Sequence, residues 1–385
     1  MESSLKNVQR AGRATRGFFL LCGIAAASWA PMVPFAKARL ALDPAQLGAV
    51  LLCLGVGATI AMPLAAWVSH RHGSRVVLPI SGALVCAVVP LLAIAPSPVL
   101  LGAVLALFGA ALGMVDVTMN AHAVDVERLH GQPLMSGFHA LYSVGGLAGP
   151  AAMSALLGGG LSLIAAAAVI AALLLAIVAT QTRHLLAPVG DRTATRSKFS
   201  WPSTTVVLLG LLCLVLFLAE GAMLDWSAVL LSSERGVALA RAGLGYSAFS
   251  LAMVIGRLLG DRVTAALGPA RIVRYGGLVA AAGFVLAGAL PWATSSVAGF
   301  VLVGLGASNI VPVLFSAAGR LPATTPGVAI ATVTTFGYSG LFLGPPAIGA
   351  VADALSLPLA LGGVAALLVA VSASSRIVRR DRSAP

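Results

Sequence analysis

Charge is scarce in this sequence. Only 9% of its 385 residues are charged, where soluble globular domains carry about 25%. A water-facing surface wrapped around a soluble core is therefore excluded. Cysteine is scarcer still, at four residues. Cys22, Cys53, Cys86 and Cys213 all fall within apolar stretches, which rules out a disulfide framework and leaves them as small packing residues. Ligand spacings such as His-Glu-x-x-His do not occur, so no metal or other cofactor is expected. No polar segment is long enough to fold as a catalytic or signalling domain, which argues against an enzyme or a sensor. Acids are the rarer charge, 12 Asp and Glu against 24 Lys and Arg, for a net charge of +12.

What is present is apolar. Hydrophobic residues make up 59% of the chain and collect into twelve runs, each near the roughly 20 residues that a helix needs to cross a bilayer. The spans are read at 17–35, 47–68, 76–94, 99–124, 138–157 and 161–179, then at 204–231, 242–259, 272–290, 297–318, 328–351 and 357–374. The runs do not alternate as barrel strands do, so an all-α membrane protein is predicted. The first run continues through Trp29 and Pro34, beyond the h-region of a cleaved signal peptide.

The excess of positive charge is a statement about topology rather than about nucleic acid, which is not an expected partner. With the N-terminus cytoplasmic, twenty of the 24 Lys and Arg fall on that side, and only Lys37, Arg39, Arg235 and Arg241 fall on the other. The positive-inside rule then places both termini in the cytoplasm. The longest polar interruption, 181–203, divides the chain in two. The expected layout is a tail at 1–16, a six-helix bundle at 17–181, a linker at 182–202, a second bundle at 203–375 and a tail at 376–385.

The two bundles read as copies of one another. Ser28-Trp29 returns as Asp225-Trp226 at an offset of 197, and Leu47-Gly48 returns as Leu244-Gly245 at the same offset. Gly73 matches Gly268 at 195, and Tyr142-Ser143 matches Tyr338-Ser339 at 196, with Pro150 and Pro346 following.

Two parallel six-helix repeats resemble the architecture of the major facilitator superfamily. The stretch from Ala66 to Arg75 resembles that family's basic motif after span two, Gly-x-x-x-Asp-Arg-x-Gly-Arg-Arg, with Ala66 and His70 in place of its Gly and Asp. Gly256 to Arg262 in the second half lies closer to the family form. The resemblance implies a conformational latch drawn from Arg71, Arg75, Arg257, Asp261 and Arg262, resting more on Asp261 than on the first-half copy. The strings Gly113 to Asn120, Phe138 to Gly146 and Glu220 to Ser227 are similar to the MosC-like branch of bacterial facilitators. That branch's association with rhizopine implies sugar-like or cyclitol-like solutes. The resemblance also implies an inner-membrane location, a monomer in lipid, and a cavity lined by spans one, four, seven and ten.

Few residues within the spans can carry chemistry. Asp116 and Asn120 lie one turn apart on one face of span four. A carboxylate there faces protein rather than lipid, because it costs about 2.5 to 3.5 kcal/mol at mid-membrane on insertion scales. Glu220 lies near the middle of span seven. Asp116 and Glu220 are the candidates for proton coupling, with a structural hydrogen-bond role as the alternative for each. Asp225, nearer the span's end, reads as a gate or ion-pair residue within reach of Arg235, Arg241 or Lys37. Arg257 and Asp261, one turn apart, are expected to pair. The resemblance makes Trp29, Ser28, Asn120, Asn309, Trp226, Tyr142 and Tyr338 the candidates for contact with a small solute. Asn309 matches Asp116 at an offset of 193. His122 and His139 read as packing or solvated residues in preference to proton relays.

These residues suit a secondary transporter of a polar solute, with protons as the coupling partner. A proton-driven exporter of amphipathic compounds is the alternative. Its family signature pairs an Arg motif in span four with a Gly-Pro motif in span five. Span four has no Arg, while span five ends a run of glycines in Gly149-Pro150. The same glycines and prolines also serve close helix packing.

Overall fold

The computed structural model describes residues 2–42, 44–186, 202–237, 243–321 and 326–378. Residues 187–201 of the expected linker, together with Arg241, Arg379, Arg380 and Arg382, lie outside the described residues. The described residues form helices and their connections, with no strand.

Among the described residues, twelve helical rods follow one another. Ten are long and apolar enough to cross a membrane. The other two, Glu2–Ser28 and Leu244–Leu267, have the length, at 27 and 24 residues, but carry more charge. Arg10, Arg13 and Arg16 occupy the first part of one, and Arg257, Asp261 and Arg262 the second part of the other.

Two spans depart from the expected continuous run. Span one starts at Glu2, ahead of its apolar stretch, and stops at Ser28. A 3-10 turn, Ala30–Met32, and a short helix, Val33–Arg39, follow it. Pro31 has no N–H for the carbonyl of Ala27, which favours a break there, although Pro63, Pro79, Pro90 and Pro150 lie within continuous helices. Span ten is likewise divided, into Ala293–Ala307 and Ile310–Ala318.

The chain forms two compact units. The first comprises Met1–Gly131, Leu141–Trp201 and Thr324–Ala331; the second comprises Gln132–Ala140, Pro202–Ala323 and Thr332–Pro385. In the first unit, span four packs on spans one, two and three, and span six packs on spans one and three. In the second unit, span ten packs on spans seven, eight and nine, and span twelve packs on spans seven and nine. The same pairing, advanced by six spans, is what a duplication requires.

Local details repeat with it. Gly73 and Gly268 each open the third span of their bundle at positive φ, with φ and ψ of 84° and 153° in one and 81° and 157° in the other. Glycine reaches this region without the steric cost of a Cβ. Aligned on these glycines, Asp261 stands level with Ala66, seven residues before its glycine, and not with His70. Ser162 and Ser356 cap the sixth span of each bundle by accepting from the N–H groups of Ala165 and Leu359.

Close packing fixes the fifth span of each bundle against the first. A Cβ at Gly145 would lie 2.5 Å from the Leu20 carbonyl oxygen, and one at Gly340 would lie 2.1 Å from that of Leu214. In both halves, small residues let backbones approach where lipid supplies no hydrophobic drive.

Each bundle also carries an arginine clamp that the sequence reading missed. Arg39, in the short helix after span one, donates to the carbonyls of Leu92, Ala93 and Ala95 at the end of span three. Arg235, after span seven, donates to the carbonyls of Ala287 and Gly288 at the end of span nine, and to the Ser296 hydroxyl. The last carbonyls of a helix lack intrahelical partners and sit at its negative pole, so a guanidinium satisfies both. The offset between these arginines, 196, was the available signal.

Candidate functional site

In the second unit the site begins with a proline. Pro312 has no N–H to give the carbonyl of Ser308 one turn earlier, and span ten breaks at Ser308 and Asn309. The freed carbonyl accepts from Nε of Arg257 at 3.2 Å. Asn309 stitches the break to span eight, its amide donating to the Gly256 carbonyl and to the Ser308 hydroxyl, each at 2.9 Å. Gly256 and Gly260 are needed for this approach. A Cβ at Gly256 would lie 2.4 Å from the Ser308 hydroxyl oxygen, and one at Gly260 would lie 1.8 Å from the Asn309 amide oxygen.

Arg257, held by span ten, reaches across to span seven. Its Nη2 lies 3.2 Å from Oε1 of Glu220, with side-chain exposures of 7% for the arginine and 27% for the glutamate. The most buried cation of the described spans is thus neutralised by the most central acid of span seven. Tyr246 of span eight lies within electrostatic reach of both charges, and the sequence reading did not select it.

The remaining candidates in this unit are more dispersed. Asp225 is exposed and has no partner among the described residues. Arg235, one of its expected partners, is engaged in its clamp. Trp226 packs on span eleven, where a Cβ at Gly349 would lie 3.3 Å from its ring. Its indole N–H has no partner among the described residues. Tyr338 sits edge-on to Phe217 at 5.8 Å and near Phe342 at 6.1 Å.

Asp261 accepts from the backbone N–H of Gly137 at 2.9 Å, in the first turn of span five. That is a helix N-terminus, where a carboxylate both accepts an orphan N–H and meets the positive end of the dipole. Gly260 again permits the contact, since a Cβ there would lie 2.6 Å from Cβ of Ser136. His139, on the next turn, tilts against Phe315 at 5.6 Å and bonds the Met135 carbonyl at 3.0 Å. Arg262 is exposed.

In the first unit the acid stands without a cation. The Asn120 amide donates to the Asp116 backbone carbonyl at 2.9 Å and to its carboxylate at 3.2 Å. The Asn120 oxygen is buried with no partner among the described residues. Beside it on span four, Thr118 shares a 2.8 Å hydroxyl contact with Ser69 of span two.

His122 is a brace. The Thr15 hydroxyl donates to the Ala11 carbonyl at 2.9 Å, so it accepts from Nδ1 of His122 at 3.0 Å. Nε2 then accepts from the N–H of Leu186, also at 3.0 Å. Both ring nitrogens are occupied and the tautomer is set, which suits a structural residue.

Ser28 turns its hydroxyl back to the Ile24 carbonyl at 2.6 Å and lies against Gly149 of span five. Trp29 is buried, and its indole N–H has no partner among the described residues. Tyr142 is half-buried. Arg71 and Arg75 are exposed, the former 5.8 Å above the ring of Trp67. The first-half basic motif therefore presents its arginines outward, while the second-half stretch is built into the packing of spans eight, ten and five.

Comparison with known proteins agrees with this arrangement. The family model described as Major Facilitator Superfamily matches residues 17–345. An uncharacterized MFS-type transporter of Yersinia pestis is 44% identical over 366 residues, covering 95% of each chain. The membrane protein MosC of Rhizobium meliloti is 33% identical over 365 residues, covering 95% of this chain and 89% of its own. Among solved structures, the E. coli fucose:proton symporter FucP aligns with a TM-score of 0.77 at 15% identity, covering 96% of this chain and 98% of that one. The proton:xylose symporter XylE aligns with a TM-score of 0.77 at 13% identity, covering 96% and 95%. At these identities the two structures speak to the fold, and the family model and the close relatives speak to kinship. The chain belongs to the Major Facilitator Superfamily of multi-pass membrane transporters.

Proposed function

We propose that this transporter moves a small polar solute, sugar-like or cyclitol-like, by alternating access, and that the movement is coupled to protons. The observation that carries the reading is a pair of acids placed within spans, Glu220 against Arg257 in one unit and Asp116 against Asn120 in the other. Acids within spans are costly, and the recurrent use of such groups is in ion and proton pathways. FucP and XylE, proton symporters for fucose and xylose by their names, support the reading by analogy of fold. Among the described residues Arg257 is the one buried Arg or Lys, and it is neutralised, which disfavours an anionic solute.

Two further assignments accompany this reading. The protein is assigned to the bacterial inner membrane with both termini cytoplasmic, an orientation that its Lys and Arg distribution supports. Asp261, capping the first turn of span five, acts as a latch that transport must open and close.

The test is uptake into proteoliposomes under an imposed inward proton gradient, with fucose, xylose and myo-inositol as probes. Accumulation above the external concentration, lost when the gradient is collapsed, is the expected result. If no polyol accumulates while lipophilic cations are driven against the gradient, the chain is an exporter and the proposal fails.

A further inference from the structure

The two acids within the spans are not equivalent. Glu220 has a guanidinium 3.2 Å from its carboxylate, and that guanidinium is in turn held by the carbonyl that Pro312 leaves free. An arginine cannot lose its proton in a protein, so its charge is permanent and favours the ionised form of the carboxylate beside it.

Asp116 has no such partner. Its only hydrogen bond among the described residues comes from the Asn120 amide, which is neutral. Span four packs on spans one, two and three. From span one, Cys22 lies within electrostatic reach of Asp116, and Arg10, Arg13 and Arg16 lie toward the other end of that helix. Span two brings Cys53, His70, Arg71 and His72, and span three brings Arg75 and Cys86. Span four itself carries His122, Asp125, Glu127, Arg128 and His130 on its later turns. None of these forms an ion pair with Asp116 among the described residues.

A half-buried anion held within a span with no counter-ion is removed most cheaply by taking up a proton. Resting on the proton-coupled reading above, we infer that Asp116 is the group that binds and releases the transported proton, while Glu220 stays ionised against Arg257 as a fixed internal pair. The proton enters from one side and leaves to the other, so no further reactant is consumed.

The experiment is an infrared difference titration of the full-length protein in lipid, without solute and without a gradient. A protonated carboxyl gives a C=O stretching band that the carboxylate lacks. The band is expected in the parent protein and in Glu220→Gln, and is expected to be lost in Asp116→Asn. Because Asp116→Asn could fail to fold, the parent protein is also grown with carboxyl-labelled 13C aspartate and, separately, with labelled glutamate. The band should move with the aspartate label alone. A band that follows the glutamate label or vanishes in Glu220→Gln overturns the inference, as does the absence of any titrating band. The readout needs no transport, so it separates this inference from the uptake test. A protein could show the Asp116 band and still accumulate nothing.

Discussion

The Glu220–Arg257 pair gives the most quantitative prediction. At 3.2 Å and an effective dielectric of about 20, the attraction between two unit charges is about 5 kcal/mol before desolvation is counted. Removing one partner of a buried pair costs about 3 to 5 kcal/mol, because the other charge is left unpaired. Arg257 keeps one hydrogen bond to Ser308, and Glu220 is 27% exposed, so the low end applies. Glu220→Gln should therefore destabilise the protein by about 2 to 3 kcal/mol. Glu220→Gln combined with Arg257→Gln should cost no more than about 1 kcal/mol, since neither charge then remains. Unfolding of the parent, both single variants and the double variant in one detergent completes the cycle. The expected interaction term is at least about 2 kcal/mol, or a factor of roughly 30 or more in the folding equilibrium. Single effects that simply add in the double variant would refute the pair as a unit.

Four further outcomes follow from the packing. Pro312→Ala supplies an N–H that competes with Arg257 for the Ser308 carbonyl; gained helix propensity and a lost charged hydrogen bond offset each other within about 1 kcal/mol, so uptake should fall while melting hardly moves. Equal uptake would show that the break does not position Arg257. Asp261→Ala removes a cap worth about 1 kcal/mol, and hydrogen exchange across Met135–Ala140 should quicken several-fold. Unchanged exchange would mean the contact does not hold span five's first turn. Arg39→Ala and Arg235→Ala should each lower stability by about 1 to 2 kcal/mol, with partial rescue by Lys, which keeps the charge and loses the fork; melting curves that overlay the parent would dismiss the clamps. Gly145→Val and Gly340→Val force a Cβ to within 2.5 and 2.1 Å of backbone oxygens and should cost at least the 1 to 3 kcal/mol typical of overpacking. Parent-like stability in either would contradict the tight approach of first and fifth spans.

Apolar run length and the repeat offset were enough to read the helices and their doubling, because each is a property of sequence order alone. The same offset identified the Gly73 and Gly268 turns, whose backbone angles agree. Partner choice across helices was less legible. One-turn spacing pointed to Arg257 and Asp261 as neighbours, but it could not show that Arg257 reaches Glu220 on another span or that Asp261 accepts from the N–H of Gly137. Both contacts depend on how deeply spans eight and ten sink together, which is set by Gly256, Gly260 and the break before Pro312. Apolar counting registers none of these. Pro312 four residues after Ser308 was a usable sign of a free carbonyl, and Arg39 and Arg235 at the repeat offset were a usable sign of paired clamps. Trp29 and Trp226 came from the family resemblance, as residues of cavity-lining spans, and their indole N–H groups have no partner among the described residues.

The central claim is proton-coupled movement of a polar solute, and one measurement addresses it directly. Proteoliposomes loaded with a pH-sensitive dye are given fucose, xylose or myo-inositol outside, with no gradient imposed. The account predicts that at least one of them acidifies the lumen as it enters, and that Asp116→Asn abolishes the acidification. Solute entry with no change in luminal pH, or acidification that survives Asp116→Asn, would contradict it.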